Sequence, residues 1–430
     1  MKDDDGAKAS VRLLFSDLLG LAHGRLLPLD KAQDAVHLCM TLMAQAFDGR
    51  DDLVPGYGLE VGSPDMEARL DQSSALAGWD PTSSVAMASL WRMDGDRDAF
   101  ELDPRGAAQR AVAGWQQLGY APVTGFEMEF YLLRSRPKRR VKAVDVPAHR
   151  PYGTGLGGDP TGLAERIFDR ARAAGLDVAH LSTEFHPGQV EVVLQHTEAI
   201  RSADSAFLFR ELAREVASAE GAWCTFLGKP MTQRAGSGQH LNLSALDANG
   251  RNAFADPDGL HGLSDVARHA IAGVIAHYPA LCAIAAPTVN AYKRLRPEAI
   301  GYVADWGLDN RAAAVRVPAE RGPATRLEYR VADGAASPHL MTAALLFAAL
   351  LGVQHELELP PARLGLAPGS AITAPQNLDE ALDELEKDDE LTALLGPDLV
   401  RTFVGLKRWE WTRWSEAVTD WEIQAYGRHF

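Results

Sequence analysis

The spacing of apolar and polar positions changes several times along the chain, and each change marks a predicted element. Residues 11–30 read as a short strand, a turn around Gly20–Gly24 and a second strand. Across 31–49 the apolar positions fit a helical period. Between 50 and 100, turn-forming residues alternate with short strands, among them Ser84–Trp91. Residues 1–103 therefore read as a small α+β unit. Asp103-Pro104-Arg105 then precedes a periodic apolar stretch from Gly106 to Leu118, a predicted helix, which places a domain boundary near residue 103. Over 104–430, strands carrying charged residues alternate with candidate helices at 160–174, 199–220, 262–278 and 337–353. Two or three further helices fill 377–426. The longest apolar run, Met341–Val353, has 13 residues. It is too short to span a bilayer and reads as a buried helix.

Composition narrows the class. A chain of 430 residues exceeds one ordinary core and predicts two domains of unequal size. Hydrophobic residues at 46% and charged residues at 23% fit a globular protein. Lys and Arg total 43 against 58 Asp and Glu, a formal net charge of −15. Such a surface repels nucleic acid and anionic membranes, so neither is an expected partner. The basic run Arg134–Lys142 is broken by proline and lacks interleaved aromatics, which predicts a solvated loop. Cys39, Cys224 and Cys282 are far apart and form no CxxC pair. That argues against a disulfide framework or a zinc site and fits a reducing cytoplasm. The first residues, MKDDDGAKAS, hold no apolar segment of a signal peptide. The glycine-rich stretch Tyr152–Gly158 does not follow a clear strand, so it reads as a flexible loop.

Four segments carry chemistry. In Gly125–Tyr131, Glu127 and Glu129 share one strand face while Phe126, Met128 and Phe130 take the other. Two carboxylates on one face repel each other unless a cation sits between them; the alternative is a solvated edge strand. Glu184 and Glu191 are seven positions apart, and an unbroken strand would turn them to opposite faces. Pro187-Gly188 between them marks a turn or bulge that resets the register; otherwise the segment is a hairpin with two exposed acids. Glycines lead into a strand where His240, Asn242 and Ser244 share a face, and His240 is either a metal ligand or a hydrogen-bonded histidine. Last, Arg294, Arg311 and Arg316 precede Arg326, Glu328 and Arg330, which alternate on one strand face. That alternation is either a salt-bridge ladder or a metal-binding acid flanked by guanidinium forks for phosphate and carboxylate. Carboxylates with one imidazole suit Mg²⁺ or Mn²⁺. Metal plus arginines, without a Ser or Cys nucleophile, points to phosphoryl transfer.

The order and spacing of these segments resemble the glutamine synthetase superfamily. The matching pieces are GFEMEFYL, TEFHPGQVEV, FLGKP followed by GSGQHLNLS, APTVNAYKRL, WGLDNRAAAVRVP and TRLEYR, with looser matches at FSDLLG, SPDMEARLDQSS, FELDPR and the tail VTDWEIQAY. The resemblance implies an N-terminal β-grasp domain over 1–103 and a catalytic α+β domain over 104–430, an antiparallel sheet or partial barrel with helices. It implies an ATP-dependent acid–amine ligase assembled from hexameric rings into a dodecamer, working in the cytoplasm. Glu129, Glu184 and Glu191 would hold one Mg²⁺ or Mn²⁺, and Glu127, His240 and Glu328 a second beside the ATP phosphates. Arg294 and Arg330 would clamp the amino-acid carboxylate, Arg311, Arg316 and Arg326 would neutralise phosphate oxygens, and Gly236 would line the glutamate pocket. Asn242 stands where the family usually has a second histidine beside the phosphates. His186, between Glu184 and Glu191, reads as a cap for its turn or as a substrate contact.

One departure bears on the acceptor. Ammonia-using members carry a glutamate in a flap shortly after the Asn-x-Tyr-Lys-Arg segment; here that place is Ile300, with Glu298 offset. The N-terminal acidic loop of the ammonium pocket is also not found. Loss of both favours a bulkier or less polar amine than ammonium, as in the branch that makes γ-glutamyl amides of polyamines and monoamines. The competing expectations are a glutamate–ammonia ligase, a ligase using another carboxylate donor, and a non-catalytic structural or regulatory relative. The runs Val54–Leu59 and Leu76–Pro81 are candidate borders of the amine pocket.

Overall fold

The computed structural model describes residues 8–32, 35–94, 98–135 and 141–430. Five strands come first: β1 (Ser10–Ser16), β2 (Ala22–Pro28), β3 (Val36–Cys39), β4 (Asp65–Leu70) and β5 (Ser83–Arg92). They form one sheet in the order β2-β1-β5-β4-β3, parallel between β1 and β5 and antiparallel elsewhere. The expected strand–turn–strand over 11–30 is present. Gly20 turns the chain at φ 77°. Gly24 lies inside β2, where a Cβ would fall 1.9 Å from the Leu13 carbonyl oxygen.

The helix expected over 31–49 is a correction. Val36, Leu38 and Met40 are buried at a period of two. Pairing with β4 makes Val36–Cys39 an edge strand, and only a single 3-10 segment, Met40–Ala44, follows.

Asp103 caps α1 (Pro104–Gln117) by accepting from the Arg105 N–H, with proline in the first turn. After it come β6 (Ala121–Leu133), α2 (Gly155–Gly158), α3 (Leu163–Ala173), β7 (Val178–Thr183), β8 (Gln189–Leu194), β9 (Thr197–Glu198) and α4 (Ala199–Ala219). Next are β10 (Trp223–Thr225), β11 (Gln239–Leu246), α5 (Asp265–Ala276), α6 (Tyr278–Ala285), β12 (Trp306–Leu308), β13 (Val315–Val317), β14 (Leu327–Tyr329) and α7 (Pro338–Gln354). The tail holds α8 (Leu378–Lys387), α9 (Asp389–Leu395), α10 (Pro397–Ser415) and α11 (Asp420–Tyr426), one more than the two or three expected. Asp388 caps α9 through the Leu391 N–H, and Gly396-Pro397 starts α10 afresh, so local chemistry divides the apolar pattern. The stretch Tyr152–Gly158 is a loop ending in the one turn of α2. The basic run Arg134–Lys142 falls largely on 136–140, outside the described residues.

The second sheet runs β12-β13-β14-β11-β6-β8-β7, with β9 and β10 also pairing to β6. It is antiparallel except for β12 and β13, which pair in parallel. β6 is its long central strand. Phe126, Met128 and Phe130 are fully buried on one face, and the Phe130 ring lies 4.9 Å from Phe226 and 6.0 Å from Phe209 of α4. Burying three large side chains fixes which way β6 faces, at roughly 1.5–3 kcal/mol each. The opposite face is thereby committed to Glu127 and Glu129. α7 is buried all round against α1 and α5, as its unbroken apolar run predicts. Among the described residues no helix is long and apolar enough to cross a membrane. Arg105 ties the two sheets together: it reaches Asp71 at 2.6 Å and Asp204 of α4 twice at 2.9 Å, while His339 of α7 meets the same Asp204 at 2.8 Å.

Candidate active site

Strand register assembles the site. It sets His240 of β11 opposite Glu127, Glu191 of β8 opposite Glu129, and Glu328 of β14 opposite Asn242. Candidate ligand atoms of Glu127, His240 and Glu328 lie within 4.8 Å of one another, the grouping that the resemblance implies. The other expected trio differs. His240, in place of Glu184, completes the compact group with Glu129 and Glu191. Glu184 stands beyond the end of β7, in a turn closed by the Glu184 N–H to the Gln189 carbonyl at 3.0 Å and the Gln189 N–H to the His186 carbonyl at 2.9 Å. A turn residue is not held by a ladder, so Glu184 faces the same cavity without joining the cluster. The register reset expected at Pro187-Gly188 is this hairpin turn. Gly188 adopts φ 77°, and a Cβ there would lie 2.9 Å from the Val144 carbonyl oxygen.

The cavity has a volume of about 440 Å³. Glu127, Glu129, Glu184, Glu191 and His240 line it together with Arg294, Arg311, Arg316 and Arg330. Burial, and then the charges of Glu127, Glu129, Glu184 and Glu328, push the Glu191 carboxyl up to about 8. Burial, and then Glu129, push Glu184 up to about 7. Glu127 goes the other way: burial opposes its charge, but His240, the Asn242 amide and Arg330 outweigh it and hold the carboxyl near 2. His240 Nδ1 is 3.6 Å from both Glu127 and Glu328, too far for a hydrogen bond, so its pull on Glu127 is electrostatic.

Glu328 is fully buried, bonded by Arg330 and, at 2.8 Å, by Arg316; Arg316 also holds Asp309 at 2.6 Å. Only Leu327–Tyr329 are strand, so Arg326 and Arg330 flank it and are not part of one continuous face. Asn242 donates to Glu127 at 2.9 Å and accepts from Arg326 Nε at 3.1 Å. Arg326 and Asn242 line an adjoining, more apolar cavity of about 540 Å³ that shares Glu127 and Val193 with the first. Arg294 donates to the carbonyls of Val331 at 2.8 Å and Arg330 at 3.3 Å, so the backbone aims its guanidinium. Gly236 packs against it: a Cβ would fall 2.6 Å from the Gly228 carbonyl oxygen and 2.7 Å from Arg294 Cδ. Arg311 is exposed at the cavity, with no hydrogen-bond partner among the described residues.

Several participants go beyond the sequence reading. Gln189 donates to Glu129 at 3.2 Å and to the Gly236 carbonyl at 2.9 Å, and the Gly238 N–H donates to Glu129 at 2.8 Å. Gln189 was findable, because it lies two positions from Glu191 on the same strand face. Tyr152 and Phe185 also line the cavity. His186 does not; its Nδ1 accepts from the Ala235 N–H at 3.1 Å and ties the hairpin turn to the Gly236 segment, a link between segments and not a cap within its own turn. Ile300 lines the cavity, whereas Glu298 is exposed and is not one of its walls.

This donor set fits divalent cations. His240 Nδ1 is buried without a hydrogen-bond partner, and Glu191 is pushed up by burial and then by other carboxylates, a repulsion that a cation relieves. Hard oxygen ligands with one imidazole match Mg²⁺ or Mn²⁺. The guanidiniums match phosphate and carboxylate oxygens.

Residues 101–426 match the family model "Glutamine synthetase, catalytic domain". The chain is 33% identical to the glutamine synthetase of Pyrococcus horikoshii over 447 aligned positions, covering 97% of this chain and 95% of that one. It is 34% identical to that of Thermotoga maritima, covering 78% and 82%. Among solved structures, ligand-free GmaS superposes with a TM-score of 0.85 at 28% identity over 97% of this chain and 96% of that one. A GmaS/ADP complex superposes at 0.84 and 27% identity with full coverage of both chains. Family model, relatives and fold agree with the site's geometry: the chain belongs to the glutamine synthetase family and is an ATP-dependent ligase.

Proposed function

We propose that the protein joins the γ-carboxylate of L-glutamate to an organic amine, through γ-glutamyl phosphate, giving a γ-glutamyl amide, ADP and phosphate. The observation that carries this reading is Ile300 in the cavity wall with Glu298 outside it. An aliphatic wall offers no charge to hold ammonium, but it gives an amine's apolar substituent a surface. The likeness to GmaS, a γ-glutamylmethylamide synthetase, supports the same reading.

A carboxylate is a poor electrophile, and phosphorylation gives it a leaving group. Glu127, His240 and Glu328 would hold one Mg²⁺ or Mn²⁺ and Glu129, Glu191 and Glu184 a second, with Glu184 moving from its turn to reach the ion. The bound cations would neutralise phosphate and carboxylate charge. Arg294 and Arg330 orient the amino-acid carboxylate, and Gly236 allows that close approach. Arg311 and Arg316 face the transferring phosphoryl group and offset its charge. Arg326, with Asn242, faces the adjoining cavity, which suits the nucleotide. The amine loses its proton before attacking the acyl phosphate, and phosphate leaves with the bonding pair. We further assign 1–103 to a β-grasp-like domain, on its mixed sheet and the cap at Asp103, and the assembly to hexameric rings in the cytoplasm.

ADP release with ATP, Mg²⁺ and L-glutamate, measured across mono-, di-, poly- and aromatic amines and ammonium, tests the reading. Turnover with one amine class and the mass of its γ-glutamyl amide support it; turnover with ammonium alone sinks it. Gly236→Ala is a separate check on the amino-acid clamp. The added methyl displaces Arg294, so the KM for glutamate is expected to rise by roughly 10–100-fold while the KM for ATP changes far less. Parallel changes in both would contradict the assignment.

A further inference from the structure

We propose that Phe185 makes the acceptor subsite select amines bearing one apolar substituent of aryl or branched-alkyl size, and reject diamines and polyamines. This rests on the γ-glutamyl amide reading and names the substrate class within it. Phe185, Tyr152 and Ile300 are 64%, 62% and 52% exposed, yet all three line the cavity that holds the carboxylates. Exposed apolar residues scattered singly are ordinary; three lining one ionic cavity offer apolar wall to a ligand.

This wall is held in place. His149 Nε2 bonds the Glu184 carbonyl at 2.7 Å, and the Tyr152 N–H bonds the Thr183 carbonyl at 2.8 Å, so the segments carrying the two aromatic rings are laced together. The backbone that carries the two rings is therefore already ordered before an amine binds, which lowers the entropy cost of capture. Charge points the same way. A diamine would bring a second ammonium, and that group needs a carboxylate. The carboxylates lining the cavity are those assigned to the cations. Arg311, close enough to Glu184 to act on its charge, is cationic and would repel a distal ammonium.

The test compares kcat/KM for benzylamine, 3-methylbutylamine, methylamine and 1,4-diaminobutane in the wild type, Phe185→Ala and Phe185→Glu. The wild type is expected to prefer benzylamine or 3-methylbutylamine over both others by at least about tenfold, the discrimination that a few buried methylene-sized groups provide. Phe185→Ala is expected to lower the benzylamine-to-methylamine ratio by about tenfold. Phe185→Glu is expected to shift the ratio toward the diamine, because it supplies the missing carboxylate. Phe185 is exposed, so unchanged unfolding temperatures will separate this from a folding defect. A wild-type preference for the diamine, or a benzylamine-to-methylamine ratio unmoved in Phe185→Ala, overturns the proposal while leaving γ-glutamyl amide formation intact. Ammonium as the sole acceptor overturns both.

Discussion

Replacing Glu328 with glutamine is expected to lower kcat by on the order of 10³, with little change in the secondary structure seen by circular dichroism. Glutamine keeps the shape but removes the charge. Arg316 and Arg330 then face a neutral amide whose NH₂ group cannot accept from either of them. Three functions depend on that carboxylate: it is a candidate cation ligand with Glu127 and His240, and it aims the two guanidiniums that bond it. Each such preorganised electrostatic contact is worth about 10²–10³ in rate, and residues acting as a unit do not add independently. Because Glu328 is fully buried, the substitution also strands positive charge at a cost of about 3–5 kcal/mol, which lowers the unfolding temperature. Mg²⁺ should raise that temperature less in the variant than in the wild type. A kcat within tenfold of wild type would mean that Glu328 is structural only.

Cation affinity is expected to climb steeply with pH, by a factor on the order of 10–100 between pH 6 and 7, with protons released into the buffer. Glu191 near 8 and Glu184 near 7 both lie above the ordinary carboxylate range, so at pH 6 the folded cation-free protein keeps protons on them. The unfolded chain would already have lost those protons. A native state that binds more protons than the unfolded one loses stability as pH rises, here from about 5 through 8. A divalent cation reverses this, because it binds the ionised carboxylates and relieves their repulsion. Calorimetric titration of Mg²⁺ or Mn²⁺ in buffers of different ionisation enthalpy reads the proton count. Affinity flat across pH 6–8, with no protons released, would remove Glu184 and Glu191 from the cation site.

The strands that carry the site were legible because period-two alternation and chemistry agree in them. Glu127 and Glu129 alternate with Phe126, Met128 and Phe130, and the structure buries those three. Over 31–49 a helical period competes with the period of two at Val36, Leu38 and Met40; the partner strand that decides between periods is about thirty residues away, and local spacing does not contain it. Glu184 illustrates another limit. Its motif identifies a candidate ligand, but its side-chain position depends on how the Pro187-Gly188 turn closes and on what occupies the cavity. The wall of the proposed acceptor pocket was half legible. Ile300 followed from its place after Arg294, whereas Phe185 and Tyr152 come together only because the chain near 150 laces onto Thr183.

The central claim is that the acceptor is an organic amine. Its most direct test is a competition: ATP, Mg²⁺ and L-glutamate with equal concentrations of ammonium and a set of primary amines, products resolved by mass. The account predicts that a γ-glutamyl amide of one amine dominates and that glutamine is a minor product. Glutamine as the main product, with the amines left unconsumed, would contradict it.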